Sequence, residues 1–478
     1  MDLNDITRRR TLGTLGAAGT VALAGCGGDD TDDNGDDDAD TDEADTDEAD
    51  TDDEGTETEE QLEGSISIGV LQDFSGPLPV YGHQGTSGFY AGLAHTTGTD
   101  PLPEGSVDEG DYTVDYEDGE IELLVRDSQS TPGEAQELAT DLVQDEGADM
   151  LYGTVASGSA IRVINTVVDR SEVPFIAGPA ADAGITGDSE TCRELVFRAN
   201  ENTAMDARSG GRYIAQHAEQ DQIALFGADD AFGRSVVENY RQVLEGEGVD
   251  IVMERFVPAG QSEWAGLLDE AEDAGAEGMV AGFTAQTLIP MTGVLLAGDW
   301  DLQLFGGFAS RFSLTPTGDA LVDLLDDQFT EDGIREAGFG PFTTRYHWNQ
   351  YDNEINDAFV DMHVDTYDVV PDLFTGGAFV AASATVQSFD QEGEIDADAV
   401  AEQMRGMTVQ ETPKGENGYE FQEFNNQARS DMTVADVIPT QPEWEDSWAP
   451  AIQPSEPLER VPMEVTTIPQ GEMTCDLS

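Results

Sequence analysis

The stretch that decides the fold is YGTVASGSAIRVINTV, residues 152–167. A short apolar run, residues 149–153, leads into a loop of small residues. Apolar side chains then recur at helical spacing at Ile161, Ile164 and Val167. This order predicts a buried strand, a loop and a helix. Small residues let another molecule approach the loop backbone closely. Ser157 stands where it would either cap the helix or meet a ligand.

The same alternation of strand and helix runs along most of the chain. It begins at residue 65 and restarts near residue 199, which predicts two α/β units of similar size. Strands that alternate with helices form parallel sheets with right-handed crossovers. Such sheets bind ligands beyond the carboxyl ends of their strands. Two units that face each other would therefore form a ligand-binding cleft.

Several motifs in a fixed order carry a family resemblance. They are ISIGVLQDFSGPLPVYGHQGTSGFYAGL (66–93), LVRDSQSTPGEAQELATDLVQDEGADMLYGTVASGSA (124–160), VPFIAGPAADAGIT (173–186), LVFRAN (195–200) and IALFGADDAFGRSVVENY (223–240). From about residue 65 to 430 the chain resembles periplasmic-binding-protein type I receptors of the branched-chain amino-acid transport class. In the first motif, Ser75, Gly76, Pro77, Tyr81 and Gly82 match the family pattern.

The resemblance implies an α/β fold of two doubly wound parallel-sheet lobes joined by a three-crossing hinge. Lobe one would comprise residues 64–198 and 345–413. Lobe two would comprise residues 199–344 and 414–478, ending in an irregular tail from about residue 435. The resemblance also implies a monomeric extracytoplasmic receptor that closes over a small-molecule solute and delivers it to an ABC permease.

The resemblance further implies a set of ligand-binding positions. The ligand carboxylate of amino-acid-binding relatives would meet the loop at Ser157 and the segment 179–182. The family's second hydroxyl position falls on Asp182, and its ammonium-binding acid falls near Phe308. The complete set of positions is Tyr81, Ala156, Ser157, Ala180, Asp182, Phe232, Phe283 and Phe308.

These departures leave more than one ligand class open. A carboxylate at Asp182 would repel a ligand carboxylate, so an uncharged amide or urea is an alternative to an amino acid. A cationic solute is another alternative, because aromatic faces at Phe232 and Phe283 attract cations. Simple core packing of the phenylalanines, and a helix cap at Asp182, remain structural alternatives.

Composition restricts the partners. The 478 residues include 100 acidic and 20 basic residues, for a net charge of −80. Nucleic acid is excluded as a partner because phosphate binding needs clustered Lys and Arg. The excess of carboxylates is typical of proteins that stay hydrated in concentrated salt and predicts a haloarchaeal origin. An acidic protein of a mesophile is the alternative.

The N-terminus predicts export and anchoring. Arg8 and Arg9 precede a weakly apolar run that is too short to cross a bilayer of about 30 Å. This pattern indicates a twin-arginine signal over residues 1–26. The run ends in LAGC, which resembles a lipobox, so Cys26 would carry a lipid on the outer face of the cell membrane. Plain secretion is the alternative. Residues 27–63 are rich in acidic residues and nearly free of large apolar ones, which predicts a disordered tether.

Two cysteines remain besides Cys26. Cys192 and Cys475 would be exported to an oxidising compartment, where a disulfide between them is favoured. That bond would fix the C-terminal tail near residue 192. Two free buried thiols are the alternative.

Enzyme chemistry finds little support in the sequence. The chain lacks a G-x-S-x-G elbow, a phosphate-binding Gly-rich loop with Lys, and an H-E-x-x-H motif. Its five histidines show no metal-ligand spacing, so neither a metal nor a cofactor is expected. Tyr346 and Trp348 are predicted to pack near a hinge crossing, and the apolar segment 377–389 is predicted to form a buried helix.

Overall fold

The computed structural model describes residues 62–306 and 310–478. These residues fall within one compact unit. The predicted export signal, the lipidation site at Cys26 and the acidic tether up to residue 61 lie outside the described residues. Phe308 lies outside them as well.

The first lobe is built on a six-stranded sheet. Its strands are β1 (Ser65–Gln72), β2 (Gly110–Tyr116), β3 (Gly119–Asp127), β4 (Met150–Gly153), β5 (Phe175–Ala177) and β6 (Val196–Phe197). Their order across the sheet is β2-β3-β1-β4-β5-β6. All pairs are parallel except β2 with β3. The sheet has an apolar core on each face, as a doubly wound fold requires.

Helices connect these strands. They are α1 (Pro79–Thr97), α2 (Pro132–Gln144), α3 (Ser157–Val163), α4 (Asp169–Ser171) and α5 (Gly184–Gly187), and a π-helical turn joins α3 to α4. Helix α2 begins at Pro132 with Thr131 at its N-cap. Proline is favoured at this first position because its missing N–H would have no partner there.

The second lobe repeats this plan with four parallel strands. They are β7 (Gln222–Ala228), β8 (Asp250–Val257), β9 (Gly278–Gly282) and β10 (Gln303–Phe305), in the order β10-β9-β7-β8. The helices are α6 (Thr203–Asp206), α7 (Arg212–His217), α8 (Ala231–Glu247), α9 (Ala265–Asp273), α10 (Ala285–Ala297), α11 (Arg311–Leu325) and α12 (Glu331–Glu336). Strand β11 (Phe342–Thr344) ends this part of the chain.

The chain then returns to the first lobe through three helices, α13 (Glu354–Tyr367), α14 (Thr375–Glu392) and α15 (Ala397–Gln403). Helix α14 is buried along most of its length, which confirms the prediction from its apolar sequence. It packs closely on α1: a Cβ atom at Gly92 would lie 2.2 Å from the carbonyl oxygen of Phe379. Only glycine allows this approach of the two backbones.

Residues near the first predicted return to lobe one contact both cores. Phe342 and Trp348 belong to the core of the second lobe, and Tyr346, between them, belongs to that of the first. The resemblance implies the next crossing near Lys414. A small antiparallel sheet, β12 (Thr408–Val409), β13 (Tyr419–Phe421) and β14 (Ala428–Ser430), packs in the first core. Its apolar side chains and a bridge between Arg198 and Gln427 hold it beside β6.

The C-terminal part is more regular than its composition predicts. Strands β15 (Met432–Ala435), β16 (Val437–Pro439), β17 (Ile452–Pro454) and β18 (Glu459–Val461) form short antiparallel pairs, and α16 (Met463–Thr466) follows. The tail then runs back to the first lobe. Cys475 forms a disulfide with Cys192 across a Cα–Cα distance of 6.0 Å. The tail thus connects the lobes in addition to the three crossings.

Two buried ion pairs lie where the crossings meet. Nζ of Lys414 is 2.6 Å from Oε1 of Glu201, and each side chain is only 1% exposed. The same carboxylate oxygen accepts hydrogen bonds from Tyr419 and Ser430. Burial raises the pKa of Glu201, but Lys414 and these hydrogen bonds outweigh burial and hold the pKa below its ordinary value. Arg345 pairs with Asp206, with an Nε–Oδ1 distance of 3.0 Å, but here burial outweighs the nearby cation and raises the pKa of Asp206 above its ordinary value.

We predict that Lys414→Met is strongly destabilising, because it leaves the Glu201 carboxylate buried without its cation. The expected loss in free energy of unfolding is about 3–5 kcal/mol. Urea denaturation at constant salt measures it. The double variant Lys414→Met/Glu201→Gln should recover much of the loss, because no buried charge remains.

Arg255→Met provides the matched control. Arg255 pairs with Glu270 on the surface, where both side chains are largely exposed. Exposed pairs contribute about 0–1 kcal/mol. A loss at Lys414 no larger than the loss at Arg255 would contradict a structural role for the buried pair.

Candidate functional site

A cavity of about 300 Å³ lies between the lobes, beyond the carboxyl ends of the parallel strands. We call it the central cavity. It is formed by the loops that follow β1, β3, β4 and β5 of the first lobe and β7, β8 and β9 of the second. It is lined by Pro77, Leu78, Tyr81, Ser130, Pro132, Val155, Ala156, Ser157, Gly158, Ser159, Pro179, Ala181, Asp230, Ala231, Phe232, Ala259, Thr284, Gln286 and Phe374.

The loop after β4 forms one wall. Gly153 makes the turn out of the strand with φ of 137°, and a Cβ there would lie 2.0 Å from the carbonyl oxygen of Leu71. Glycine is therefore required at this position. Helix α3 begins at Ser157, but its N-cap is Ala156 and no side chain caps it. The Ser157 hydroxyl instead accepts a hydrogen bond from the N–H of Asp182 at 3.1 Å, so Ser157 links two loops and is not the N-cap.

This wall carries a second serine, which the sequence did not identify as a ligand-binding position. Ser159 lines the central cavity, is fully buried, and its hydroxyl has no hydrogen-bond partner within the described residues. A buried hydroxyl without a partner is costly unless another group satisfies it. The G-S-A spacing contained no signal that separated Ser159 from an ordinary helical serine.

The second lobe supplies the opposite wall. Asp230 caps α8, and its Oδ1 accepts a hydrogen bond from the N–H of Gly233 at 2.8 Å. Its Oδ2 accepts no hydrogen bond in the part of the chain that the structure describes. Phe232 and Thr284 complete the wall. Asp230 is a functional candidate that the sequence did not distinguish among its many acidic residues.

The predicted site residues divide into three groups. Tyr81, Ala156, Ser157 and Phe232 line the central cavity. Ala180, Asp182 and Phe283 do not, although their chain neighbours Pro179, Ala181 and Thr284 do. Phe308 lies outside the described residues.

The side chains of the second group have other contacts. Ala180 is fully buried. The Asp182 carboxylate accepts a hydrogen bond from the N–H of Gly184 at 2.8 Å. Phe283 is fully buried and packs against Trp264, with ring centroids 5.3 Å apart. Core packing therefore describes Phe283, whereas Asp182 precedes Ala183, the N-cap of α5, and is not itself the cap.

Contacts beside the central cavity hold the lobes together. The Tyr81 hydroxyl of the first lobe accepts a hydrogen bond from the N–H of Ala285 at 3.1 Å. The Asp372 carboxylate, also of the first lobe, accepts hydrogen bonds from Gln84 Nε2 and from the N–H of Arg311, each at 2.9 Å. Helices α10 and α11 of the second lobe thus meet the first lobe at their N-termini. Burial raises the pKa of Asp372 to about 6.

The lining of the central cavity contains few charged side chains. No Arg, Lys or His lines it among the described residues, and Asp230 is its one carboxylate. The remaining polar groups are hydroxyls, an amide and backbone. Within residues 62–306 and 310–478, no cluster of three His, Cys, Asp or Glu could hold a metal ion. No helix in these ranges is long and apolar enough to cross a membrane.

Two α/β lobes with a cavity at their facing strand ends define a solute-binding protein of the hinged, two-lobe type. The periplasmic binding protein family model matches residues 65–442, and the chain belongs to this family. Proteins of this family are extracytoplasmic and bind small solutes, which agrees with the class that the resemblance implied. The fold is that of type I periplasmic binding proteins.

Three individual proteins show what kinds of solute-binding protein the chain is similar to. A leucine-, isoleucine-, valine-, threonine- and alanine-binding protein of Pseudomonas aeruginosa is 23% identical over 66% of this chain and 78% of its own. An ABC-type branched-chain amino acid transporter from Rhodopseudomonas palustris has a TM-score of 0.61 and 24% identity, covering 84% of this chain and 98% of its own. A solute-binding protein from R. palustris in complex with benzoate has a TM-score of 0.66 and 19% identity, covering 87% and 100%.

We predict a characteristic pH dependence from Asp372. Its folded-state pKa of about 6 exceeds the ordinary 3.8, so the folded protein binds this proton more tightly than the unfolded chain does. The contribution of Asp372 to the free energy of unfolding therefore falls as pH rises from about 4 to 6, by up to about 3 kcal/mol. Asp372→Asn should abolish this fall, as measured by urea denaturation across that range at constant salt.

The comparison between variants is essential because other carboxylates titrate in the same range. Asp361→Asn, an exposed aspartate on α13, is the matched control and should follow the unmodified protein. If Asp372→Asn and Asp361→Asn show the same pH profile, then Asp372 is not the buried group described here.

Proposed function

We propose that the protein binds a small aliphatic amino acid in the central cavity and delivers it to an ABC importer. The observation that carries the proposal is the arrangement of polar groups. Hydroxyls stand on the wall of the first lobe, a carboxylate stands on the wall of the second, and mainly apolar side chains line the space between them. A zwitterion with an apolar side chain matches these three features.

The first lobe would hold the ligand carboxylate. Ser157 uses one hydroxyl lone pair for Asp182, which leaves its proton free to be donated to the ligand. The Ser159 hydroxyl has no protein partner among the described residues and can donate in the same way. Hydrogen bonds to a charged acceptor are shorter and stronger than those between neutral groups.

The second lobe would hold the ligand ammonium. Asp230 keeps one carboxylate oxygen on the N–H of Gly233 and has the other available. The Gly233 bond fixes the orientation of the carboxylate, so little side-chain entropy is lost on binding. An ammonium group here would also bring the second lobe toward the first, because the two ends of the ligand attach to different lobes.

The size of the cavity supports one small solute. Ligand pockets commonly measure about 300–1,000 Å³, and the central cavity lies at the lower end of that range. The relative from P. aeruginosa is named for leucine, isoleucine, valine, threonine and alanine. These amino acids share the small apolar side chain that the lining here favours.

A benzoate-type monocarboxylate is the second candidate. Three aromatic rings, those of Tyr81, Phe232 and Phe374, line the central cavity. Aromatic side chains favour a flat aromatic ligand, and one structural neighbour is in complex with benzoate. The alternative of a cationic solute no longer rests on Asp182 and Phe283, which do not line the cavity, but on Asp230 and these three rings. An uncharged amide remains an outcome of the titrations below.

Anchoring and export belong to the same proposal. The twin-arginine motif and the LAGC sequence support export and a lipid on Cys26, which would tether the receptor to the outer face of the cell membrane near its permease. The acidic composition supports a haloarchaeal origin, and we propose a monomer. Mass spectrometry of the protein from its native membrane would test the lipid: an unmodified N-terminus beginning after Cys26 would refute it.

We predict that leucine and benzoate respond differently to variants of the central cavity. Ser159→Ala should weaken both about 3- to 10-fold, because both carboxylates lose one hydrogen bond. Asp230→Asn should weaken leucine about 10- to 100-fold, because the charge-assisted bond to its ammonium is lost. Asp230→Asn should not weaken benzoate. Isothermal titration calorimetry at constant salt with leucine, benzoate and acetamide measures these effects.

Asp229→Asn is the matched control for this experiment. Asp229 is the adjacent aspartate, pairs with Arg234 and does not line the cavity, so its substitution should leave leucine affinity unchanged. Leucine binding that is insensitive to Ser159→Ala and Asp230→Asn would refute the assigned site. Binding of benzoate alone would replace the amino acid by the second candidate, and binding of acetamide alone would favour an amide receptor.

A further inference from the structure

We propose that a second cavity, adjacent to the central one, binds an amphipathic monocarboxylate through the guanidinium of Arg311. This flanking cavity measures about 730 Å³. Its walls come from both lobes: α1 and the segment between α13 and α14 on one side, and α10 and α11 on the other. The proposal does not depend on the ligand of the central cavity.

The first observation is the state of Arg311. The chain has five acidic residues for every basic one, and most described arginines have a carboxylate within ion-pair distance. The Arg311 side chain makes no hydrogen bond in the described ranges and has no carboxylate there within ion-pair distance, although the Asp372 carboxylate attracts it at longer range. Arg311 lines the flanking cavity. Its backbone N–H is bonded to Asp372, so the residue itself is held in place. A guanidinium binds a carboxylate through two parallel hydrogen bonds.

The second observation is the apolar surface beside this cation. Phe312 follows Arg311 and is 50% exposed. Few other large apolar side chains among the described residues are exposed. Val80, Ile289, Pro316 and Val370 line the same cavity from both lobes. A ligand with an apolar body next to its carboxylate would cover this surface and gain free energy from its removal from water.

The floor of the cavity excludes other ligand classes. Gln84 donates to Asp372, His363 is bonded to Ser87, and its other ring nitrogen is bonded to the carbonyl of Val369. These polar groups therefore satisfy one another and leave none for the ligand.

The rim limits the charge of the ligand. Nε2 of His83 lies 3.2 Å from Oδ1 of Asp108. Glu104 is a further carboxylate that lines the flanking cavity. Asp372 also lines the cavity, and Arg311 is the one arginine or lysine among the described residues that does. These carboxylates would therefore repel a second negative charge on the ligand. The favoured ligand is therefore a monoanion, and dicarboxylates and phosphates are disfavoured.

Binding at this position would affect lobe closure. The bond between Asp372 and the N–H of Arg311 crosses from one lobe to the other at the floor of the cavity. A molecule that contacts both walls binds the closed arrangement better than an open one and shifts the equilibrium toward closure. The flanking cavity would thus act as an effector site for capture in the central cavity.

The test uses the whole protein and 4-fluorophenylacetate as the probe, followed by ¹⁹F NMR titration at constant salt. Arg311→Gln should weaken probe binding at least about 10-fold, because the ion pair is lost. Arg311→Lys, which keeps the charge, should retain part of the affinity. Arg170→Gln is the matched control: it removes an exposed arginine that makes no ion pair in the described ranges and lines neither cavity. It should bind like the unmodified protein.

The titrations show whether the probe binds in the flanking cavity or in the central cavity. Unchanged thermal midpoints for Arg311→Gln would show that the variant folds. Probe affinity equal in Arg311→Gln and Arg170→Gln would overturn the proposal, as would absence of binding at millimolar probe. Loss of probe binding in Ser159→Ala but not in Arg311→Gln would place the probe in the central cavity, which overturns the flanking site while leaving the proposed function intact.

Discussion

The buried ion pair between Lys414 and Glu201 is the contact on which the arrangement of the lobes depends. Lys414 is the single lysine of the chain, and its ammonium lies where segments of the crossings converge. It also donates to the hydroxyl of Ser430 and the carbonyl of Asp431, at the point where the chain leaves the first lobe. Arg345 and Asp206 form a second pair beside it. Buried ion pairs therefore stabilise the hinge. Few other groups inside the protein could pair with the charged side chains that form them.

The burial of these ion pairs matters because the protein carries a high negative charge. Repulsion among surface carboxylates is screened within a few ångströms in concentrated salt, about 3 Å at 1 M. Buried pairs are screened much less. The interactions that fix the crossings thus keep their strength under conditions that weaken the surface pairs. The central and flanking cavities both lie between lobes whose mutual geometry these pairs determine.

Much of the fold could be predicted from the sequence because periodicity and motif order are local signals. The parallel strands and the buried helix α14 followed from them. The packing of β13 and β14 in the first core did not, since it depends on long-range contacts such as the bridge between Arg198 and Gln427. The C-terminal strands β15 to β18 are short and separated in sequence, so no periodic pattern marked them.

The site was harder to predict than the fold. Tyr81, Ala156, Ser157 and Phe232 reach the central cavity, but Ala180, Asp182 and Phe283 are each one position away from a residue that does. Alignment of short motifs does not determine the direction of each side chain in the loops that follow the strands. Asp230 and Ser159 lacked any distinguishing signal, because helix caps and helical serines are common. The polar groups that select a ligand became visible only with both lobes in place.

The most direct test of the account is a crystal structure of the protein grown with leucine in high salt. We expect electron density for one amino acid in the central cavity, with its carboxylate at Ser157 and Ser159 and its ammonium at Asp230. Density for leucine elsewhere, or the same ligand bound in the opposite orientation, would contradict it.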